Sequence, residues 1–230
     1  MDKIAKVKSI SIWVFIIPFV ALNACLILIT QFHELFPNKV NIIHNTIPYI
    51  DGQVSISRTA RVFPTYLIFK PAMFLTSYLL IKYWLYTKEI IVFFNKNHKN
   101  IKYILFFGIG SAILLTLHSI FLGIKFDYDA YKFFRRFVLI GFIIFEIIAQ
   151  ILLVKTLYKM KDRISEIINK RILNLKIALV SILTIVALAS LPFLISSGHA
   201  HFKHALEWNF FAGVISFYLL TFFLWKKQKT

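Results

Sequence analysis

Long apolar stretches dominate the hydrophobic pattern of the chain. An α-helix needs about 20 apolar residues to cross a hydrocarbon layer of about 30 Å, because it rises about 1.5 Å per residue. We predict a transmembrane helix over each of six stretches: residues 10–30, 66–85, 103–124, 137–157, 177–195 and 210–225. The second is the weakest, since Lys70 and Lys82 interrupt it. The pattern therefore predicts an all-α, polytopic membrane protein with a single integral membrane domain over residues 1–230.

The composition agrees with a membrane protein. Hydrophobic residues make up 59% of the chain, above the roughly 45–50% of soluble domains, and the mean hydropathy is +0.73. A water-soluble globule is thereby excluded. The 27 Lys and Arg residues against 10 Asp and Glu give a net charge of +17. In a soluble chain this excess would suggest nucleic acid, whereas in a membrane chain basic residues mark the cytoplasmic loops.

The basic residues indicate which way the chain is oriented. Six spans put both termini on one side, and 18 of the 27 basic residues fall in the four segments on that side: Lys3, Lys6, Lys8, Lys82, Lys88, Lys96, Lys99, Lys102, Lys155, Lys159, Lys161, Arg163, Lys170, Arg171, Lys176, Lys226, Lys227 and Lys229. By the positive-inside rule this side is cytoplasmic. We therefore expect no nucleic-acid partner, and a multi-pass integral membrane protein that lies in the plasma (inner) membrane if the source is bacterial.

The single cysteine bears on how the chain begins. Cys25 has no second cysteine to pair with, which excludes an internal disulfide. Residues 22–25 (LNAC) follow a basic start and loosely resemble the processing site of a signal peptide. The apolar run continues past the cysteine through residues 26–29, where a processed protein would turn polar. We therefore predict an uncleaved first helix with a buried thiol.

The first outer connection, residues 31–65, is the longest polar stretch. Within it, residues 47–52 (IPYIDG) place a rigid proline, an aromatic residue and a turn-forming Asp51-Gly52 pair side by side. This composition favours an ordered segment over a floppy tether. Two interpretations stay open, a re-entrant turn that packs over the mouth of the bundle and a lid that contacts lipid headgroups.

The last outer connection is rich in histidine. If it begins the sixth helix, His201, His204 and Glu207 lie at three-residue steps along one face, with Trp208 beside them at the interface. Imidazole and carboxylate groups are zinc ligands, which makes the histidines, His199 included, weak candidates for a metal site. The spacing matches no established zinc motif, so we predict no cofactor and keep zinc only as an alternative.

Polar residues within the hydrocarbon depth are costly and usually face the interior of a bundle. His118, Glu146 and Gln150 are such residues, and the last two are four apart and share one helix face. We expect Glu146 to be either protonated or paired with a cation such as His118 or Lys70. The interpretations that stay open are interhelical hydrogen bonds that fix the packing and a path for protons or cations.

Arginines are concentrated at the predicted outer face. Arg135 and Arg136 lie where the fourth helix enters the membrane, and Arg58 and Arg61 lie in the first connection. The planar guanidinium suits phosphate, so these residues are candidates for gripping a lipid headgroup, with simple interfacial anchoring as the alternative. The sequence contains no Gly-rich phosphate loop, no G-x-S-x-G elbow and no H-E-x-x-H helix. Whether any reaction is catalysed stays open.

Three short segments together resemble a known family. Residues 47–52 resemble the P-Y-I-S-D segment of the DRAM/Frag/Sfk membrane proteins, Glu207-Trp208 resembles their E-W pair, and Gln150 resembles the start of their Q-T-x-L-S-Y stretch. The chain departs from the pattern where residues 61–64 (RVFP) replace the usual Pro-Glu, and where Lys132 stands near the expected histidine. The resemblance implies six helices with cytoplasmic termini and a lipid-linked role, as in lipid-remodelling and autophagy-modulating relatives.

The leading hypothesis is a protein that binds, remodels or moves a lipid or another amphipathic ligand at its outer face. Alternatives are a small proton- or cation-coupled transporter or channel using Glu146, Gln150 and His118, a membrane-embedded metal hydrolase, and a structural partner. Expected partners are membrane lipids and a second copy or another membrane protein. The candidate ligand-binding residues are Asp51, Arg58, Arg61, His118, Arg135, Arg136, Glu146, Gln150, His201, His204, Glu207 and Trp208.

Overall fold

The chain folds into a bundle of long helices. The computed structural model describes residues 2–38, 42–44, 46–95, 100–124, 126, 128–196 and 198–226. The helices are α1 (Asp2–Gln31), α2 (Ile56–Ala60), α3 (Tyr66–Phe94), α4 (Ile101–Phe121), α5 (Asp129–Lys159), α6 (Lys170–Ile195) and α7 (Ala200–Leu224), with a 3-10 turn at His33–Leu35. The described residues contain no β-strand, which confirms the all-α class. The predicted loop residues Lys96, Lys99, Lys227 and Lys229 lie outside the described ranges.

Five of the described helices are long and apolar enough to cross a membrane, which supports an integral membrane protein. They are α1, α4, α5, α6 and α7. The second predicted span, residues 66–85, does lie on a helix, but α3 is not among the five, and Lys70 and Lys82 lie within its apolar part. The last predicted span, residues 210–225, begins ten residues too late, because α7 already starts at Ala200.

The helices pack mainly against their neighbours in the chain. α3 lies between α1 and α4, α4 packs on α5, and α7 closes the bundle by contacting both α6 and α1. Large aromatic side chains fill the centre, and Trp84 is fully buried against Gly108, where an added Cβ would come within 2.4 Å of the indole. Close packing of such side chains stabilises the association of the helices, because lipid is as apolar as the side chains and provides no hydrophobic driving force.

Both termini of the described chain meet at one end of the bundle. The Lys8 ammonium donates to the carbonyl of Trp225 at 3.0 Å, and Lys3 forms an ion pair with Glu89 at the end of α3, also at 3.0 Å. Ile168, in the α5–α6 connection, forms an isolated antiparallel bridge with Trp225. We call this the basic end, and we call the opposite end, which carries the described residues between α1 and α3, the loop end.

Candidate functional site

Asp51 organises the first part of the loop end. Its carboxylate accepts hydrogen bonds from the Thr46 hydroxyl at 2.8 Å and from the backbone N–H groups of Ile47 and Gln53 at 2.8 and 3.0 Å. Desolvation raises the pKa of Asp51, but these hydrogen bonds outweigh it and, with the nearby His201, hold the pKa below its ordinary value. Asp51 therefore serves as a hydrogen-bond acceptor for its own loop.

The segment that Asp51 shapes, residues 46–60, is docked on the start of α7. The carbonyl of Gly52 lies 2.9 Å from Nδ1 of His204, and the Trp208 indole N–H donates to the carbonyl of Val54 at 2.8 Å. Gly52 has a φ of +59°, and an ideal Cβ there would lie 1.7 Å from the carbonyl oxygen of His201. Only glycine fits this approach, because it has no Cβ and tolerates positive φ. We call residues 46–60 the docked loop.

Tyr49 adds an aromatic contact to the docked loop. Its ring meets the Trp208 indole edge to face, with centroids 5.0 Å apart, and its hydroxyl donates to Asn23 on α1 at 3.3 Å. Burial raises the pKa of Tyr49, so the phenol stays neutral. The loop thus links α1 to α7 across the mouth of the bundle.

Glu207 is the second carboxylate of this end, and it also serves the loop. It lies against the backbone N–H groups of Ile56 and Ser57, which begin the short helix α2. The first N–H groups of a helix have no partner within the helix, so a carboxylate is a suitable acceptor for them. Asp51 and Glu207 are thus both occupied by loop backbone.

The histidines at the start of α7 do not form a metal centre in the described part of the chain. No three His, Cys, Asp or Glu side chains converge there. His199 and His201 are exposed, and His204 uses one ring nitrogen on the carbonyl of Gly52. The zinc alternative therefore gains no support from the geometry.

Two of the four arginines lie near the turn that follows α4. The backbone of Arg61 lies beside Gly123 in that turn. The Tyr131 hydroxyl donates to the carbonyls of Phe121 and Ile124 at 3.2 Å, and the Arg135 guanidinium lies 5.9 Å from the centroid of the Tyr131 ring. Arg61 and Arg135 therefore flank one turn.

These arginines have no acidic partner within the described residues. Arg58, Arg61 and Arg136 are exposed and Arg135 is half-buried, and none of the four forms an ion pair with a described carboxylate. Because no described carboxylate neutralises their charges, these guanidinium groups are suited to bind a phosphate.

His118 lies near the same turn, in the last turn of α4, and is half-buried. Arg135 is the charge that acts on it electrostatically. Lys70 donates to the carbonyl of Ile120 at 3.3 Å, where a cation suits the partial negative charge of a helix C-terminus. His118 therefore belongs with the arginines and not with the intramembrane carboxylate.

Glu146 is fully buried in the bundle and surrounded by neutral donors. The Ser111 hydroxyl donates to it at 2.7 Å, the Gln150 amide at 3.0 Å, and the Tyr218 hydroxyl also donates to it. Of the two alternatives for Glu146, pairing with His118 or Lys70 gains no support, because no described hydrogen bond or ion pair joins Glu146 to either residue. The predicted shared face of Glu146 and Gln150 does point inward, since both are buried.

Lys176 is a buried residue that the sequence reasoning missed. It is one of the 18 basic residues assigned to cytoplasmic segments, but its side chain is 0% exposed. Its ammonium nitrogen donates to the Thr221 hydroxyl and, at 3.3 Å, to the carbonyl of Phe217, and it lies 3.5 Å from the centroid of the Phe217 ring. The signal in the sequence was the uninterrupted apolar run that follows directly, residues 177–195, which makes Lys176 part of the helix.

The chain matches no protein-family model, no curated protein and no solved structure.

Proposed function

We propose that this membrane protein binds the phosphate headgroup of an anionic lipid at its loop end. The observation that carries the proposal is the division of charge there. Asp51 and Glu207 are engaged by the backbone of the docked loop, whereas the nearby arginines have no described acidic partner. Arg61 and Arg135, on either side of the turn after α4, would clamp one phosphate through their planar forks.

The apolar surface beside the arginines suits the rest of a lipid. Phe63, Phe133 and Phe137 are 49%, 71% and 62% exposed. Aromatic side chains are favoured at the membrane interface, where headgroups meet acyl chains. A lipid bound by its phosphate at the arginines would lay its chains along these rings. The resemblance of the loop and of the Glu207-Trp208 pair to the DRAM/Frag/Sfk proteins is consistent with a lipid-linked role.

The lipid proposal is tested by measuring which lipids the purified protein retains. Arg61→Gln with Arg135→Gln should lower the amount of copurifying anionic lipid at least about tenfold, because each charge-assisted hydrogen bond contributes about 1.5–3 kcal/mol. The matched control is Arg163→Gln with Arg171→Gln, which removes two exposed arginines from the basic end. Equal retention by the two double variants would contradict the proposal.

We also propose that α3 is a sixth span and that the basic end faces the cytoplasm. α1 and α3 lie side by side along their whole length, since Lys3 pairs with Glu89 at one end and the Cys25 thiol donates to the carbonyl of Thr65 at the other. The 22 residues from Lys3 to Cys25 correspond to about 33 Å of helix, enough for a hydrocarbon layer of about 30 Å.

Topology can be tested with single exposed cysteines and a membrane-impermeant thiol reagent on intact cells. Arg58→Cys at the loop end should react, whereas Lys88→Cys near the end of α3 and Glu166→Cys in the α5–α6 connection should stay protected until the membrane is opened. Labelling of Lys88→Cys together with Arg58→Cys would mean that α3 does not cross the membrane.

A further inference from the structure

The short helix α2 connects the docked loop to the arginines of the proposed lipid site. It spans Ile56–Ala60, the last part of the docked loop, and Arg61 directly follows it as the C-cap residue. The backbone of Arg61 lies against the turn after α4, since an ideal Cβ at Gly123 would be 3.2 Å from the carbonyl oxygen of Arg61. The place of Arg61 at this turn therefore depends on where α2 lies.

Helix α2 is too short to hold its own position. Its five residues form little more than one turn, and a single turn is unfavourable in isolation. Its stability must therefore come from packing. The Thr65 hydroxyl, just before α3, donates to the carbonyl of Thr59 at 2.7 Å, and both Thr59 and Ala60 are fully buried. These contacts hold the C-terminal half of α2.

Helix α7 holds the N-terminal half of α2. The Glu207 side chain lies against the backbone N–H groups of Ile56 and Ser57, which begin α2. Two neighbouring residues of α7, His204 and Trp208, bind carbonyls of the loop just before α2. Among these three side chains of α7, Glu207 is the one that contacts α2 itself. It therefore links the docking of the loop to the helix that carries the arginine.

We propose that the docked loop, through Glu207, positions Arg61 for phosphate, so that headgroup binding and loop docking stabilise each other. This regulation rests on the lipid site proposed above. Glu207 acts as a positioning residue, because it contacts α2 and not the phosphate. Coupling between two binding events is reciprocal. A loop that lifts from α7 therefore weakens phosphate binding, and a bound phosphate holds the loop on α7 by the same factor.

Charge and positioning predict opposite results for the loss of Glu207. A carboxylate repels an anion, so its removal should by charge alone raise the retention of anionic lipid. If Glu207 positions Arg61 through α2, its removal should instead lower retention. Glu34 is a suitable comparison, since it is an exposed carboxylate of the loop end that lies outside the docked loop.

The first measurement is the retention of phosphatidylglycerol by the purified full chain, in competition with phosphatidylcholine. Glu207→Met keeps the length of the side chain but accepts no hydrogen bond from a backbone N–H. It should lower retention at least about fivefold, the lower end of the usual range for such coupling. Glu207→Gln keeps one oxygen acceptor and should restore most of the retention, whereas Glu34→Met should not lower it.

The second measurement is the reciprocal one. It compares amide hydrogen exchange of residues 46–57 in nanodiscs of phosphatidylcholine with and without phosphatidylglycerol. In the wild type, phosphatidylglycerol should slow this exchange at least about fivefold. In the variant with Arg61→Gln and Arg135→Gln it should have no such effect, because the phosphate would have lost its binding groups.

The outcomes separate this coupling from the lipid site itself. The coupling is wrong if the arginine double variant loses lipid while Glu207→Met retains it at the wild-type level, or if phosphatidylglycerol leaves the exchange of the docked loop unchanged in the wild type. Equal retention by the arginine double variant and its basic-end control would contradict the lipid site and, with it, the coupling. Should Glu207→Met fail to fold, the exchange measurement on the wild type decides alone.

Discussion

Gly52→Ala is the substitution for which the structure predicts a specific defect. The new Cβ would lie 1.7 Å from the carbonyl oxygen of His201 and 2.9 Å from the backbone nitrogen of Ala205, both in α7. A clash with helix backbone cannot be relieved by rotating a side chain. The docked loop must therefore lift away from α7, and the hydrogen bonds of His204 and Trp208 to loop carbonyls are lost.

The magnitude combines backbone strain with these contacts. An alanine at a φ of +59° costs about 1–2 kcal/mol, and the two lost hydrogen bonds cost about 0.5–1.5 kcal/mol each. Docking should weaken by about 2–5 kcal/mol. Gly198→Ala is a matched control, because Gly198 has a φ of +90° and nothing within 4 Å of its ideal Cβ. The Gly198→Ala variant should therefore have the backbone strain of a positive φ without a steric clash.

Amide hydrogen exchange is the appropriate assay, since it reports local opening of the docked loop. Relative to Gly198→Ala, Gly52→Ala should exchange the amides of residues 46–57 roughly 30- to 3,000-fold faster, since each factor of ten corresponds to about 1.4 kcal/mol. The reasoning is refuted if the two alanine variants protect this segment equally, because the close approach to α7 would then contribute nothing.

Three further predictions follow from single contacts. Trp208→Phe keeps an aromatic side chain but removes the indole N–H and so leaves the buried carbonyl of Val54 without its donor; thermal unfolding in detergent should show a loss of about 1–3 kcal/mol, and an unchanged midpoint would contradict this. The lowered pKa of Asp51 means that its stabilisation is present above the ordinary value of 3.8 and is lost as pH falls through the lower folded value. Amide protection of the docked loop should therefore weaken only in acid, and Asp51→Asn should abolish that pH dependence. Glu146→Leu leaves the buried Tyr218 hydroxyl and one N–H of the Gln150 amide without an acceptor, while Ser111 keeps the carbonyl of Gly108, and it should destabilise the bundle by at least about 2 kcal/mol, whereas Glu146→Gln, which keeps an acceptor, should cost less; equal losses in the same unfolding assay would argue against the network.

The helices were predictable because a long apolar segment in lipid must form its backbone hydrogen bonds internally, which favours an α-helix. Five predicted spans coincide with helices long and apolar enough to cross a membrane. The errors lie at the ends of the predicted spans, where residues can be polar and still be helical. Residues 200–209 are polar enough to look like a connection, yet they form the first turns of α7. Lys176, at the other end of the bundle, was misplaced for the same reason. Its charge suggested an aqueous loop, but it lies in α6 with its side chain buried.

The candidate residues have different roles in the structure, which their spacing along the chain could not show. Asp51 and Glu207 looked like ligand-binding acids, but both accept hydrogen bonds from loop backbone. Glu146 was expected to be either protonated or paired with a cation, and its described partners are neutral donors, two of them contributed by other helices. Which donors reach a carboxylate depends on how the helices are rotated about their axes and on how the loop folds back on the bundle. The local sequence determines neither.

The sequence by itself determined that this is an all-helical membrane protein, because the lengths of its apolar stretches leave no soluble alternative. It also marked the polar residues that need an explanation. Only the tertiary structure decided what each of them faces. Packing brought Lys176 to Thr221, 45 residues away, and Gly52 to His204, 152 residues away. Contacts over such separations arise when helices are fixed side by side, so they follow from the whole bundle and not from any segment of it.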